Sequence, residues 1–430
     1  MENNVHRCRK RCRLAAASSL LVFGLAVCCM GLGWSASSQA QDNGAFYAYG
    51  IDQLAGAPGS IIRLETMHGA PLGAAAYRVL YRSVGVHGEA IAVSGVVIVP
   101  AGPVPAHGRD IVAWAHPTSG IVPRCAPSEA HFVFQTIMGL REMVRRGYIV
   151  VATDYAGLGT EAPHPYLVGA SEAHAIIDAV RAVHQIPGAN AGDRYAVWGH
   201  SQGGQAALFT GMIGASYAPE LHLMGVAVAA PATDLDALLH DDADTNGGRN
   251  VTAMTLWSWQ RVYGAPIDQV VAPAAMPAVN ALASECIESP YDMLQRHYTQ
   301  KHLEKQFLSV ADLTALEPWR SLLAENIPGT LPPEVPVFVA QGDADRLVLP
   351  QVTRAYVQKL CRAGSRVDYL ELPGVHHGFI AHDSQTQAVA WIADRFDDAP
   401  APSSCPAKAD AAAVTAMNTK ASPAPAAGDR

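Results

Sequence analysis

Apolar and polar positions along the chain alternate between two rhythms. Short apolar runs at 90–99, 111–115, 148–152, 195–198, 223–229, 337–340 and 367–372 read as strands. Several are apolar at consecutive positions, so both of their faces should be covered, as in buried parallel strands. Between them lie stretches with helical spacing. Ile176, Ile177, Val180 and Val183 share one face of 173–183. The stretch 132–146 carries Phe134, Ile137, Met138, Leu140 and Met143, then Arg145, Arg146 and Gly147, and reads as one helix with its stop signal. Further helices are expected at 202–212, 351–361 and 385–396. Strands and helices alternating at these lengths need crossover connections. The expected fold is therefore α/β: a mostly parallel central sheet flanked by helices.

One interval breaks the rhythm. More than a hundred residues separate the strands at 223–229 and 337–340, where a crossover needs about a dozen. The interval holds Trp257, Trp259, Tyr263, Tyr291, Tyr298, Phe307 and Trp319 in helix-compatible surroundings. It reads as an inserted helical cap over 234–331, dividing a core of 41–233 and 332–397. Residues 398–430, rich in Ala and Pro, read as a loose tail unless Cys405 ties it down. The first 40 residues have a basic start (Arg7, Arg9, Lys10, Arg11, Arg13), an apolar run from Leu14 to about Trp34, and small residues up to Ala40. That is the layout of a secretory signal peptide, and export to the periplasm or outside the cell is expected. No later stretch is long and apolar enough to span a membrane.

Composition narrows the field. At 50% hydrophobic and 16% charged, the chain is not disordered as a whole. Its formal charge of −8 lacks the basic footprint of a nucleic-acid binder. Removing residues 1–40 takes five of the 30 basic side chains and one of the 38 acidic ones, leaving 25 and 37, a formal −12. Four of the eight cysteines leave with it. Cys125, Cys286, Cys361 and Cys405 remain, an even and widely spaced set that suggests two disulfides in an exported chain. Spacing alone leaves all three pairings open. The run Asp242-Ala243-Asp244-Thr245-Asn246-Gly247 resembles the front of a calcium loop, but Ala253 stands where the bidentate Glu should be, so no metal is expected.

The chemistry concentrates at Gly199-His200-Ser201-Gln202-Gly203, a pentapeptide between an expected strand and an expected helix. A strand-to-helix turn that sharp strains its central residue and demands tiny neighbours two positions away. It lifts the Ser201 hydroxyl to a helix N-terminus, where an anion is favoured. A serine needs a base, and the base needs an orienting carboxylate. In chain order nucleophile, acid, base, the loops after the last two strands supply Gln341-Gly342-Asp343-Ala344-Asp345 and Pro373-Gly374-Val375-His376-His377-Gly378. Loop length favours Asp345 over Asp343 and His377 over His376. Asp343 then reads as a turn cap and His376 as a neighbour. His200 reads as structural, pointing away from the site, and Asp154 as a hydrogen-bonding residue at a strand end. Oxyanion donors are expected from the backbone N–H of Gln202 and of Thr118, since Pro117 in the loop after 111–115 has none.

The chain also resembles the secretory lipases, the α/β-hydrolases typified by fungal lipase A and its bacterial relatives. The resemblance runs from about Phe46 to Cys405. It rests on Pro58-Gly59, Tyr77-Arg78-Val79-Leu80-Tyr81-Arg82-Ser83, Val93-Ser94-Gly95-Val96-Val97, Cys125-Ala126-Pro127-Ser128, Asp154-Tyr155-Ala156-Gly157-Leu158-Gly159, His164-Pro165-Tyr166 and 199–207. It implies an α/β-hydrolase core with a helical cap, ester hydrolysis without a cofactor, a triad of Ser201, Asp345 and His377, and the bridges Cys125–Cys286 and Cys361–Cys405. The chain departs from the relatives at Pro117, where they usually carry Gly. The combined expectation is an exported serine carboxylic-ester hydrolase, lipase or esterase. It should act as a monomer on a small-molecule or lipid ester, at a lipid–water interface in the second case. The rival readings are a serine peptidase or amidase with the same triad, and an inactive binding module on this fold.

Overall fold

The computed structural model describes residues 43–406, except 162, 241–244, 288–289 and 305. The signal-peptide reading, the front of the calcium-like loop and the tail beyond 406 lie outside the described residues. Nine strands form one sheet: β1 Ile61–Met67, β2 Ala74–Val84, β3 Ala90–Pro100, β4 Arg109–Ala115, β5 Ile149–Thr153, β6 Ala191–His200, β7 His222–Ala229, β8 Val337–Gly342 and β9 Val367–Leu372. Their spatial order is β1-β2-β3-β5-β4-β6-β7-β8-β9. The pairs among β1, β2, β3 and β5 are antiparallel, and every pair from β5 through β4 to β9 is parallel. This is the mostly parallel α/β sheet expected from the apolar runs.

The consecutive apolar residues serve two cores, because neighbours along a strand point to opposite faces. Ile111, Ala113 and Ala115 of β4 face one way, against Ile176, Val180, Leu208 and Leu360 from the helices Gly169–Val183, Gln202–Tyr217 and Pro350–Ala363. Val112 and Trp114 face the other way, against Leu140, Met143, Val389 and Ile392 from Leu140–Arg145 and Ile380–Phe396.

The structure corrects two expectations. The single helix at 132–146 is two short ones, Val133–Thr136 and Leu140–Arg145, because Gly139 turns the chain with φ of 81°. The strands β1 and β2 were not foreseen from the apolar pattern. Between β7 and β8 the described elements are helices, chiefly Leu235–His240, Asn246–Tyr263, Met276–Ser284, Pro290–Gln300 and Trp319–Glu325, with one isolated bridge, Val271 to Leu308. Trp259 and Trp319 are buried there and stack at 6.5 Å. Among the described residues, no helix is long and apolar enough to cross a membrane.

Candidate active site

Ser201 sits at the turn between β6 and the helix Gln202–Tyr217, with φ 56° and ψ −118°. Positive φ is strained for a residue with a side chain. The strain is held by packing on both sides. A Cβ on Gly199 would lie 2.1 Å from the Gly203 carbonyl oxygen, and one on Gly203 would lie 2.0 Å from the Ala115 carbonyl oxygen. Strand and helix can approach this closely only through glycine. The Ser201 N–H donates to Ala229 O at 3.0 Å, fixing the turn to the end of β7.

The loops after β8 and β9 converge on this serine. Ser201 Oγ lies 2.9 Å from His377 Nε2, and His377 Nδ1 lies 2.8 Å from Asp345 Oδ2. The second oxygen of Asp345 accepts the Leu347 and Val348 N–H groups at 2.8 and 2.9 Å, and Gln341 Nε2 donates to Oδ2 at 3.2 Å. Burial works to raise the Asp345 carboxyl. The hydrogen bond and charge of His377, with the two amides, outweigh it and hold the group below the usual carboxylate range. Asp343 instead accepts the Gly374 N–H, and exposed His376 donates to Ala344 O at 2.9 Å. Both brace the loops and reach neither Ser201 nor Asp345 through a hydrogen bond.

His200 does not point away as expected. It lines the pocket beside Ser201, packs its ring 5.0 Å from that of His377, and donates from Nε2 to the His377 carbonyl at 3.0 Å. Burial, and then the charge of neighbouring His377, push its pKa down to about 3, so it stays neutral.

On the other side of Ser201, β4 runs beside β6 with Ala115 opposite Gly199. That register brings the 116–120 loop next to Ser201, and Thr118 lines the same pocket. Gln202 opens the helix, where the first N–H groups have no partner within the helix. Its side chain is tied below: Nε2 donates to His164 Nε2 at 2.9 Å and to Glu172 Oε1 at 2.7 Å. The Thr118 hydroxyl lies 3.0 Å from that of Tyr166. A cavity of about 850 Å³ opens over Ser201. Trp114, Phe132, Met138, Met254, Ile287 and Leu347 give it apolar walls, while Asn250 and Arg296 add polar groups from the β7–β8 helices. Among the described residues, no group of three His, Cys, Asp or Glu is placed to hold a metal ion.

A family profile described as secretory lipase matches residues 129–404. The chain belongs to the secretory lipase family. Lipase A of Arthroderma benhamiae is 24% identical over 368 residues, covering 79% of this chain and 76% of the relative. The secreted triacylglycerol lipase LIP7 of Malassezia globosa is 24% identical over 369 residues, with the same shares. A third relative, at 22% over 362 residues (80% of this chain, 79% of its own), is named probable inactive lipase MT1628, from Mycobacterium tuberculosis. Among solved structures, Candida antarctica lipase A matches with a TM-score of 0.69 at 18% identity, over 84% of this chain and 87% of that one. That likeness shows the α/β-hydrolase fold.

The chain carries two disulfides in the described residues, Cys125–Cys286 and Cys361–Cys405, with Cα atoms 5.3 and 5.4 Å apart. The first lies against the 116–120 loop: Ser119 donates to Cys125 O at 2.8 Å, and Ile287 N donates to Ser119 O at 2.7 Å. The second anchors the segment that follows the helix Ile380–Phe396, where Ser404 N also donates to Val367 O at 2.7 Å. In the loop after β4, the Pro117 carbonyl lies 2.7 Å from Nδ1 of buried His116. Asp154 accepts from Ser94 Oγ at 2.6 Å, from Ser128 N at 2.8 Å and from the Ser128 hydroxyl, a hydrogen-bonding role. Sequence reasoning missed Glu172 and His164 as partners of Gln202. The only signal was an acidic residue at the start of a helix whose following positions are largely apolar.

Proposed function

We propose that this secretory lipase hydrolyses carboxylic esters through an acyl-enzyme on Ser201. The observation that carries the reading is the unbroken hydrogen-bond chain Ser201–His377–Asp345 at the floor of a mostly apolar cavity. Ser201 Oγ attacks the ester carbonyl as its proton passes to His377 Nε2. Asp345, held ionised, keeps the imidazole in the tautomer with Nδ1–H and stabilises the imidazolium. The carbonyl oxygen, now negative, takes the backbone N–H groups of Gln202 and Thr118. His377 returns the proton to the departing alcohol. Water, deprotonated by the same imidazole, then releases the acid and restores Ser201. The helices of 234–331 act as a cap that supplies the upper cavity wall, and residues 1–40 direct export. The apolar lining and the named triacylglycerol lipase among the relatives favour acyl esters of apolar acids.

The test is Ser201→Ala. The variant should fold normally and lose hydrolysis of p-nitrophenyl esters by roughly 10³-fold or more. A fluorophosphonate should label the parent protein at Ser201 and leave the variant unlabelled. Unchanged turnover by pure Ser201→Ala would refute the nucleophile. A parent protein that neither labels nor turns over esters would place the chain with inactive relatives, and faster cleavage of matched anilides than of esters would make it an amidase.

A further inference from the structure

Glu172 is 1% exposed, on the first turn of the helix Gly169–Val183. One carboxyl oxygen, Oε1, accepts both the Gln202 amide and the backbone N–H of Leu167, at 2.7 and 3.1 Å. Leu167 is itself held at φ 57°. Across from Glu172, His164 donates from Nδ1 to Ala156 O at 2.8 Å, which leaves its Nε2 bare to accept the second hydrogen of the Gln202 amide. Both amide hydrogens of Gln202 are therefore used. The remaining oxygens of these two side chains, Gln202 Oε1 and Glu172 Oε2, are buried acceptors without a donor. One proton on Glu172 would give its Oε2 a hydrogen to donate and spare the site a buried charge.

We infer that a protonated Glu172, together with neutral His164, clamps the Gln202 side chain and thereby positions the Gln202 backbone N–H toward the oxyanion. The inference rests on the ester-hydrolase reading above. Glu172 is a positioning residue, acting only through Gln202. Burial pushes its pKa from 4.5 up to about 8, against the pull of the Gln202 and Leu167 hydrogen bonds. The titratable groups that face it are Tyr155, His164 and Tyr166 from the 155–166 segment and Tyr263 from the helix Asn246–Tyr263. Burial lowers His164 to about 3 and raises all three tyrosines, so none of these four carries a charge near neutrality. Ionising Glu172 removes that proton and places a negative charge behind the N–H that must stabilise another one. Turnover should therefore fall as pH rises through about 8.

Two variants test the clamp, with kcat and KM for p-nitrophenyl butyrate and thermal unfolding followed from pH 5 to 10. Glu172→Gln keeps an acceptor for Gln202 Nε2 and offers a permanent donor. It should retain most of the neutral-pH kcat and lose the alkaline decline. It should also lose a stability slope. Folded Glu172 holds its proton between pH 4.5 and about 8 while the unfolded chain has released it, so parental stability falls as pH rises across that window. Glu172→Leu should lower kcat on the order of 10- to 100-fold with KM nearly fixed. If that variant does not fold, the Glu172→Gln profile decides alone. An alkaline limb in Glu172→Gln identical to the parent's, or a folded Glu172→Leu with parental kcat, overturns the clamp. Fluorophosphonate labelling at Ser201 in the same samples separates this failure from failure of the nucleophile assignment.

Discussion

Replacing Asp345 by Asn changes one atom and should nearly abolish turnover, for a reason set by its partners. Oδ1 of Asp345 receives two backbone N–H groups, at 2.8 and 2.9 Å, from Leu347 and Val348. The Asn oxygen must take that place, because an NH₂ there would face two donors. The NH₂ is then forced toward His377 Nδ1, 2.8 Å away from the present Oδ2. A donor at that position requires His377 to present a bare Nδ1 and to carry its hydrogen on Nε2. A ring protonated on Nε2 cannot accept the Ser201 proton. The same NH₂ also meets Gln341 Nε2, which now donates to Oδ2 at 3.2 Å. The tautomer effect alone is worth about 10⁴-fold in kcat, or about 5.5 kcal/mol of barrier. The donor–donor conflict at Gln341 should cost about 1–3 kcal/mol of stability. The assay is kcat and KM on a p-nitrophenyl ester beside thermal unfolding, with Asp343→Asn as the comparison. Asp343 braces the Gly374 N–H, so its variant should stay within a few-fold of the parent, as a loop contact outside the Ser201–His377–Asp345 hydrogen-bond chain should. A folded Asp345→Asn within tenfold of the parent refutes the reasoning, as does Asp343→Asn being the crippled variant.

Other expectations follow from the same neighbourhood. His200→Phe keeps a ring against His377 but removes the donor to the His377 carbonyl, so kcat should drop about tenfold, the worth of one hydrogen bond, with KM unchanged; parental kcat would remove His200 from any positioning role. Breaking Cys125–Cys286 with paired serines should cost about 2–4 kcal/mol and also shift acyl-chain preference, since this bond ties the oxyanion loop to the segment carrying Ile287. Breaking Cys361–Cys405 should cost a similar amount and leave preference alone, because that bond holds the segment around Ser404 to the helix Pro350–Ala363. Chain-length profiles of p-nitrophenyl esters distinguish the two, and equal profiles for both variants would contradict the assignment.

The central sheet was readable because β4 to β8 lie between two layers of helices and so are apolar at nearly every position. The strands β1 and β2 were not, because they are antiparallel and partly solvated, and arginines interrupt their apolar runs. Arg78 in β2 pairs with Glu65 of β1 and lies over the rings of Phe46 and Tyr47, and Arg82 reaches Gln53 O at 2.8 Å. Charged residues satisfied this way look like loop in a one-dimensional pattern. The residues of the Ser201–His377–Asp345 hydrogen-bond chain were readable because each stands just after a strand whose end the pattern marks. Their supports obey no such rule. Glu172 lies 30 positions before Gln202, and His164 lies 38 before it. In sequence, Glu172 looks like an ordinary acidic residue on the first turn of a helix, where the dipole favours negative charge. Only full burial, 1% exposed, makes a charge there costly. His200 shows the same limit from the other direction. Its position beside Ser201 was plain, yet its role depends on a carbonyl 177 residues away in the loop after β9. What a strand end exposes can be read along the chain, whereas what holds that exposed group in place is supplied by whichever distant segments the sheet order brings underneath.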